Sequence, residues 1–379
     1  MKRNRIAVII FFFVNGFLHA NLMARLPELQ QSLSISNSIL GSLLFSSALG
    51  ALVAMPVAGW LSNKLGSDTV AKITAILFCI AIPFIAAFQN TWAVAICFFM
   101  LGISTGSMDV SMNGQAVFVE RQYNKPIMSS FHACFSIGMA VGAGTGAAFS
   151  AFKIGLLYHL ALMSAIALIA IIGASSRLVR ETAIPVKENN HQGFLNIIKF
   201  ILPIGLIAFC GMITEGSMAD WSAIYMNKVI GENLTYSAFA FGIFATGMTI
   251  GRLLGDFLTF KLGRIKLLTI DAIAAIIGLS LVLSFHFSLT SFAGFLLVGL
   301  AVSTIVPIVF SAAGNTKGVN PSVGIAAATS IGYLGFFVGP PAIGFLADSY
   351  GLRMGLCFTL GLLFVMLFLI IGYFRNRPL

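Results

Sequence analysis

Asp109 lies deep in an apolar run, LGISTGSMDVSMNGQAVFVE (101–120), and is followed by Asn113, Gln115 and Glu120. On a helix, positions 109, 113 and 120 share one face. An acid in such surroundings can carry a proton, because burial favours the neutral form of a carboxylic acid. The neighbouring amides can bond the hydroxyls of a polar ligand. Gly102, Ser104, Gly106 and Ser107 precede the acid and are small enough for a close helix contact or an open cavity. A second acid, Glu215, stands in the run TEGSMADW, with Asp220 and Trp221 just beyond it. Asn15, His19 and Asn21 fall in the first apolar run, and His132 opens the fifth. Each of these has an ordinary alternative. His19 reads equally as a proton or ligand group and as a packing histidine; His132 reads first as helix-contact structure. Trp221 is either a stacking platform for a sugar ring or an interfacial anchor.

These residues must be positioned by membrane helices. The chain of 379 residues is 58% hydrophobic and only 9% charged, far from the roughly 25% charged content of a soluble domain. Its mean hydropathy is +0.98. The apolar residues come in blocks of the roughly 20 residues that a bilayer-spanning helix needs. Twelve blocks are expected, the first at 6–24, the fourth at 92–117, the seventh at 197–219 and the last at 354–373. Short alternating strands of a β-barrel are absent. The fold class expected is therefore all-α integral membrane. The first block is too long for a cleaved signal sequence and lacks a small-residue cleavage site, so it is read as a retained span.

The net charge of +10 has a side. With the N-terminus placed inside, seventeen of the 22 basic residues fall on inner segments; only Arg25, Lys153, Lys228 and Arg353 fall outside, and Arg252 lies within a span. That asymmetry orients the chain with both termini cytoplasmic in the cell (inner or plasma) membrane. It accounts for the charge without a nucleic-acid partner. The five cysteines fall inside apolar blocks and form no CxxC pair, so neither disulfide nor metal chemistry is expected. There is no Walker loop for ATP and no nucleophile–base constellation. An enzyme is disfavoured, and no cofactor is expected.

The chain also repeats itself. Segment 175–193 carries Arg177, Arg180, Glu181, Pro185, Lys187 and Glu188 and separates six blocks from six. The expected division is an N-terminal half 1–176, a cytoplasmic linker 177–193 and a C-terminal half 194–379. GFLHANLMARLP from Gly16 lies against GMITEGSMADWS from Gly211, GWLSNKLG from Gly59 against GDFLTFKLG from Gly255, and SIGMAVGAG from Ser136 against SIGYLGFFVGPP from Ser330. The order is the same and the offsets are near 195. Duplicated halves place a substrate site near the midplane between them.

With these residues in hand, the chain resembles the permeases of the major facilitator superfamily over nearly its whole length. GWLSNKLGSD (59–68) is similar to that superfamily's signature between spans two and three, and GRLLGDFLTFKLGRIK (251–266) is the stronger copy. Asn63 stands where the signature usually has an acid. In the second copy Arg252 and Asp256, one turn apart, suit a gating charge pair. Within the superfamily the chain resembles the fucose-permease-like bacterial sugar symporters, which carry an acid followed by an asparagine in span four, here Asp109 and Asn113. It departs from them at Gly114 and Gln115, and span one has no carboxylate. The resemblance implies a monomer whose spans one, four, seven and ten line the cavity. A secondary transporter of a small polar solute, a sugar or sugar derivative, is thus expected, working by alternating access with proton symport. Asp109, Glu215 and His19 would couple the proton. Asn15, His19, Asn21, Asp109, Asn113, Gln115, Glu215 and Trp221 would meet the solute. Arg25 and Asp220, at matching ends of spans one and seven, would latch the outer gate, with Arg252 and Asp256 gating the inner. A proton-coupled drug or metabolite exporter is the alternative.

Overall fold

A computed structural model describes residues 2–123, 127–180, 194–314, 316 and 321–374. The helices in chain order are α1 (Lys2–Met23), α2 (Leu26–Leu33), α3 (Asn37–Leu65), α4 (Ser67–Ala87), α5 (Thr91–Tyr123), α6 (Met128–Ala151) and α7 (Leu156–Ser175). After them come α8 (Phe194–Tyr225), α9 (Leu234–Leu262), α10 (Arg264–Ser284), α11 (Ser288–Val302), α12 (Ile305–Gly314), α13 (Pro321–Tyr350) and α14 (Leu352–Phe374). A π-helical turn, Met226–Ile230, extends α8. Among the described residues these make twelve spans long and apolar enough to cross a membrane, with α11 and α12 together forming the tenth. Among these helices α2 alone is not part of a span. Its second residue is Pro27, whose fixed φ suits a first turn, and it ends at Ser34 in the left-handed conformation, whose N–H bonds back to Gln30 and Gln31.

The chain packs as two compact units, Met1–Val186 with Glu232–Gly242 and Lys187–Gly231 with Ile243–Leu379. In each unit the helices approach through small residues, as they must where lipid removes the hydrophobic drive between helices. A Cβ on Gly102 of α5 would lie 1.8 Å from the carbonyl oxygen of Ser47 in α3, and one on Gly50 would lie 2.2 Å from that of Phe99. In the second unit a Cβ on Gly299 of α11 would lie 2.2 Å from the carbonyl oxygen of Phe244 in α9, and one on Gly247 would lie 2.4 Å from that of Leu296. Both partners of each pair are 197 positions on from their counterparts (299 against 102, 244 against 47). α1 crosses α6 in the same manner, with Gly138 against the carbonyl of Phe13, and α8 crosses α13 with Gly335 against that of Phe209. The duplication read in the sequence thus returns as a repeated set of backbone contacts.

Three connections of a single residue depend on glycine among the described residues, one of them Gly351 between α13 and α14 at φ +85°. Gly66 joins α3 to α4 at φ +89°, and Gly263 joins α9 to α10 at φ +78°. Only a residue without Cβ adopts such backbone at little cost, which gives the paired signature segments their physical reason. The lipid-facing sides carry large apolar side chains, such as Trp92, Ile169 and Phe260. Spans one and seven are the most enclosed, with 72% of each apolar window buried, against 33% in spans two, six and twelve.

Candidate functional site

In the first unit α5 carries Asp109 and Asn113 one turn apart, as the spacing requires. The Asn113 amide donates to the Asp109 carbonyl oxygen at 2.8 Å and to its carboxylate Oδ1 at 3.1 Å. Both side chains are half-buried. Asn15 of α1 is buried and its amide approaches the Met112 sulfur at 3.7 Å, which sets it beside this pair. His19, one turn further along α1, is half-buried and makes no hydrogen bond among the described residues. A carboxylate, two amides and an imidazole therefore lie on the facing helices α1 and α5.

Three sequence-predicted residues do other work. Gln115 is fully buried. Its Nε2 donates to Ser67 Oγ at 2.8 Å and to the Val179 carbonyl at 2.9 Å, and its Oε1 accepts from the Val179 N–H at 2.8 Å. The amide thus mimics a peptide partner for the segment after α7 and has no group left for a solute. Asn21 is likewise fully buried. Its Oδ1 accepts from Thr145 Oγ1 at 2.8 Å and lies 2.7 Å from His159 Nε2, while its Nδ2 donates to the Phe17 carbonyl at 2.8 Å. Arg25 forms an ion pair with Glu28 inside its own unit and donates to the Ile154 carbonyl at 2.8 Å; Ser150 donates to the other oxygen of Glu28 at 3.1 Å. The guanidinium is 2% exposed, so its charge is matched by Glu28 within a buried cluster and not held at a rim. His132 is exposed, with its ring set edge-on to Phe12 at 5.3 Å.

In the second unit Arg252 of α9 reaches Glu215 of α8 at 3.3 Å, each side chain 18% exposed. The gating pair expected with Asp256 cannot be traced, because the Asp256 side chain lies outside the described residues. Asp220 is half-buried and has no hydrogen-bonding partner among the described residues. Trp221 is fully buried, and its indole N–H finds no acceptor among the described residues. It is neither an exposed platform nor an interfacial anchor in this structure. No group of three His, Cys, Asp or Glu side chains among the described residues is placed to hold a metal ion.

The sequence reading passed over Glu28, Thr145 and His159. Their signal was present in the alternation of helix direction. Asn21 is late in span one, Thr145 late in span five and His159 early in span six, so all three come to the same membrane depth.

The family model of the Major Facilitator Superfamily matches residues 8–320. An uncharacterized MFS-type transporter of Yersinia pestis is 34% identical over 93% of this chain and 92% of its own length. The membrane protein MosC of Rhizobium meliloti is 31% identical, covering 93% of this chain and 86% of MosC. Among solved structures, the nucleoside transporter NupG superposes with a TM-score of 0.74 at 13% identity, covering 100% of both chains. A bacterial homolog to the human lysosomal transporter Spinster, in an inward-facing and unoccupied conformation, gives a TM-score of 0.74 at 13% identity and covers 98% of this chain and 96% of that one. Twelve spans, paired glycine crossings and these matches converge: the chain belongs to the major facilitator superfamily, as a multi-pass membrane transporter and not an enzyme.

Proposed function

We propose that this transporter moves a small polar solute, a sugar or sugar derivative, across the bacterial cell membrane by alternating access, coupled to proton symport. The observation that carries the reading is the Asp109–Asn113 pair. A carboxylate and an amide joined one turn apart on a membrane-spanning helix are costly to keep there for packing alone. Together they offer a proton acceptor beside a hydroxyl-binding group. Asn15 and His19 stand on the adjacent helix to complete the polar set. Glu215 enters differently from the sequence expectation. Its ion pair with Arg252 means that taking up a proton there releases a guanidinium, so the pair acts as a charge switch. Asn21, Gln115 and Trp221 leave the solute set, since their polar groups are spent inside the fold or enclosed. NupG is named a nucleoside transporter, and a nucleoside is a sugar derivative rich in hydroxyls, which favours the same solute class. The halves 1–176 and 194–379 are the moving bodies, the linker 177–193 joins them, and the uneven distribution of basic residues supports both termini lying in the cytoplasm.

The test uses purified protein in proteoliposomes with an imposed pH gradient, offered monosaccharides, amino sugars, nucleosides and small organic anions. Inward proton movement with one of these solutes, lost in Asp109→Asn, is the expected result. Silence across all of them, with proton release from acid-loaded vesicles on adding a hydrophobic amine, overturns symport in favour of export.

A further inference from the structure

Asp220 of α8 is an acid without a partner. Its neighbours Met218, Trp221, Ser222, Ala223 and Ile224 are all fully buried, while its own side chain is half-buried. The other acids well inside the spans each have a partner. Asp109 has the Asn113 amide, Glu215 has Arg252, and Asp271 of α10 accepts from the Thr304 hydroxyl. Asp220 makes no hydrogen bond and no ion pair among the described residues. Span seven runs from Ile201 to Ile230, which leaves Asp220 about 15 Å inside its final residue. That end is the outer one, with the termini cytoplasmic as proposed above.

The first unit supplies a control. At the crossings of α1 on α6 and of α8 on α13, Phe17 and Ile213 stand 196 positions apart against Gly138 and Gly335. This register sets Ala24 opposite Asp220 and Arg25 opposite Trp221. The sequence match pairs Arg25 with Asp220, one position off. Ala24 is 1% exposed, and a Cβ on Gly146 of α6 would lie 3.1 Å from the Cβ of Ala24. The fold therefore fills this crossing with two small residues and needs no charge there. On α13 the counterpart of Gly146 is Ile343, 197 positions on and fully buried. The register thus sets Asp220 toward a hydrocarbon side chain.

An ionised carboxylate at this place would have neither a cation nor a hydrogen-bond donor. An uncompensated charge inside a span is costly, and the neutral acid removes that cost. We propose that Asp220 is held as the protonated acid and is the group through which span seven loads a proton from the outer side. Its half-buried side chain leaves the carboxyl open to exchange. The two acids of the span are set apart by their surroundings. Glu215 keeps its charge against Arg252, and Asp220 keeps its proton. The loading role rests on the proton-symport reading above; the protonation of Asp220 does not.

The charged and titratable groups on the surrounding elements are few. α8 itself has Lys199, Cys210, Glu215 and Tyr225, and the π-helical turn adds Lys228. α13 has Tyr333, Asp348 and Tyr350; α14 has Arg353, Cys357 and Tyr373; α11 and α12 have none. From α9, Arg252 is held by Glu215, and Tyr225 gives its hydroxyl to the Val282 carbonyl at 2.9 Å.

Infrared spectroscopy on the full chain in lipid, with no solute present, tests the protonation. At about pH 7 the wild-type spectrum minus that of Asp220→Asn is expected to show the C=O band of a protonated carboxylic acid, displaced in D2O. Raising the pH should replace it by carboxylate bands. Asp220→Glu keeps a band at a shifted frequency, and should Asp220→Asn fail to fold, that shift carries the test. Carboxylate bands alone from Asp220 at about pH 7 overturn the proposal. Proteoliposomes under an imposed pH gradient, offered monosaccharides, amino sugars, nucleosides and small organic anions, test the loading. Asp220→Asn is expected to lose gradient-driven accumulation and to keep solute exchange at equal pH. Accumulation that survives Asp220→Asn but not Asp109→Asn overturns the loading role and leaves symport standing. A wild type that moves no protons with any solute overturns symport, and the loading role with it.

Discussion

Replacing Gln115 by leucine separates two readings of one residue. As a solute contact, Gln115 would be removable at little cost to the fold and at a large cost to affinity. The structure says the reverse. Three hydrogen bonds, at 2.8, 2.9 and 2.8 Å, tie its amide to Ser67 and to both backbone groups of Val179. Leucine keeps the volume and the helix propensity of the position. It leaves the Ser67 hydroxyl, the Val179 N–H and the Val179 carbonyl without these partners. Each orphaned buried group costs about 1–3 kcal/mol. Ser67 is 4% exposed and loses a partner outright, whereas Val179 is half-buried and water can meet part of its need. The sum is about 3 kcal/mol. For a unit of this size 1 kcal/mol moves Tm by about 2–4 °C, so Gln115→Leu is expected to lower Tm by about 6–12 °C.

The assay is thermal unfolding of the purified protein in detergent, read beside solute uptake by the fraction that stays folded. Gln115→Glu sharpens it. The new carboxylate still accepts from the Val179 N–H but sets an oxygen against the Val179 carbonyl, where the amide donated. It should be no better tolerated than leucine despite being polar. An unchanged Tm in Gln115→Leu, accompanied by a raised KM for uptake, would refute the clamp and restore the residue to the solute site.

Three further outcomes are expected. Asn21→Leu removes the shared acceptor of Thr145 and the partner of His159; it should destabilise by about 2–4 kcal/mol in denaturant or thermal unfolding, and KM in the surviving protein should not move. Gly102→Leu drives a side chain into the Ser47 backbone and should abolish folded protein in the membrane fraction. Gly144→Leu meets nothing within 4 Å and should express at wild-type level by size-exclusion profile. A double-mutant cycle of Glu215→Gln and Arg252→Gln should give a coupling of about 1 kcal/mol, as for polar contacts between membrane helices; additive single effects would mean that the 3.3 Å contact has no energetic weight.

The spans were legible because their cause is local: about 20 apolar residues cross a bilayer whatever surrounds them. The Gly66 and Gly263 turns have an equally local cause, since the constraint acts on one residue's own backbone, although the sequence reading took their segments only as a signature. Polar residues inside spans were not. A helix spacing fixes which face Asn21 or Gln115 occupies but not what stands opposite it. An amide that faces a cavity and one that faces a buried histidine look alike in the sequence. Asp109 and Asn113 were read correctly as neighbours because they share a helix. Glu215 and Arg252 were not read as partners because they do not, and Asp256, one turn from Arg252, was the partner that local spacing offered. The break in span ten had a local signal that was passed over: Pro307 has no N–H to give the Ser303 carbonyl, and its ring crowds that oxygen. The α9 glycines that make room for Ser303 and Thr304 lie about 50 residues earlier in the chain.

The duplication gives a physical way to sort these polar residues. Where the two copies agree, as in the glycine crossings and the one-residue glycine turns, the fold itself makes the demand. Where they differ, packing is satisfied by either residue and some other pressure has chosen. Phe17 and Ile213, 196 positions apart, hold the same place against Gly138 and Gly335. That register sets His19 opposite Glu215 in the repeat: two titratable side chains of different charge at one architectural position. Neither type is required by the crossing itself, and the two halves therefore differ in chemistry at this place. The same comparison puts neutral Thr74 opposite Asp271, and an unbroken span four opposite a broken span ten. Asp109, by the 197-residue register of the α5 glycines, corresponds to Val306, which places the acid of span four in the first copy alone. The acids are therefore unevenly distributed over a nearly symmetric frame. In the proposed proton-coupled cycle, protonation biases one state only through a difference in proton affinity between the two states, and an uneven distribution of acids sets where in the frame that difference has to arise.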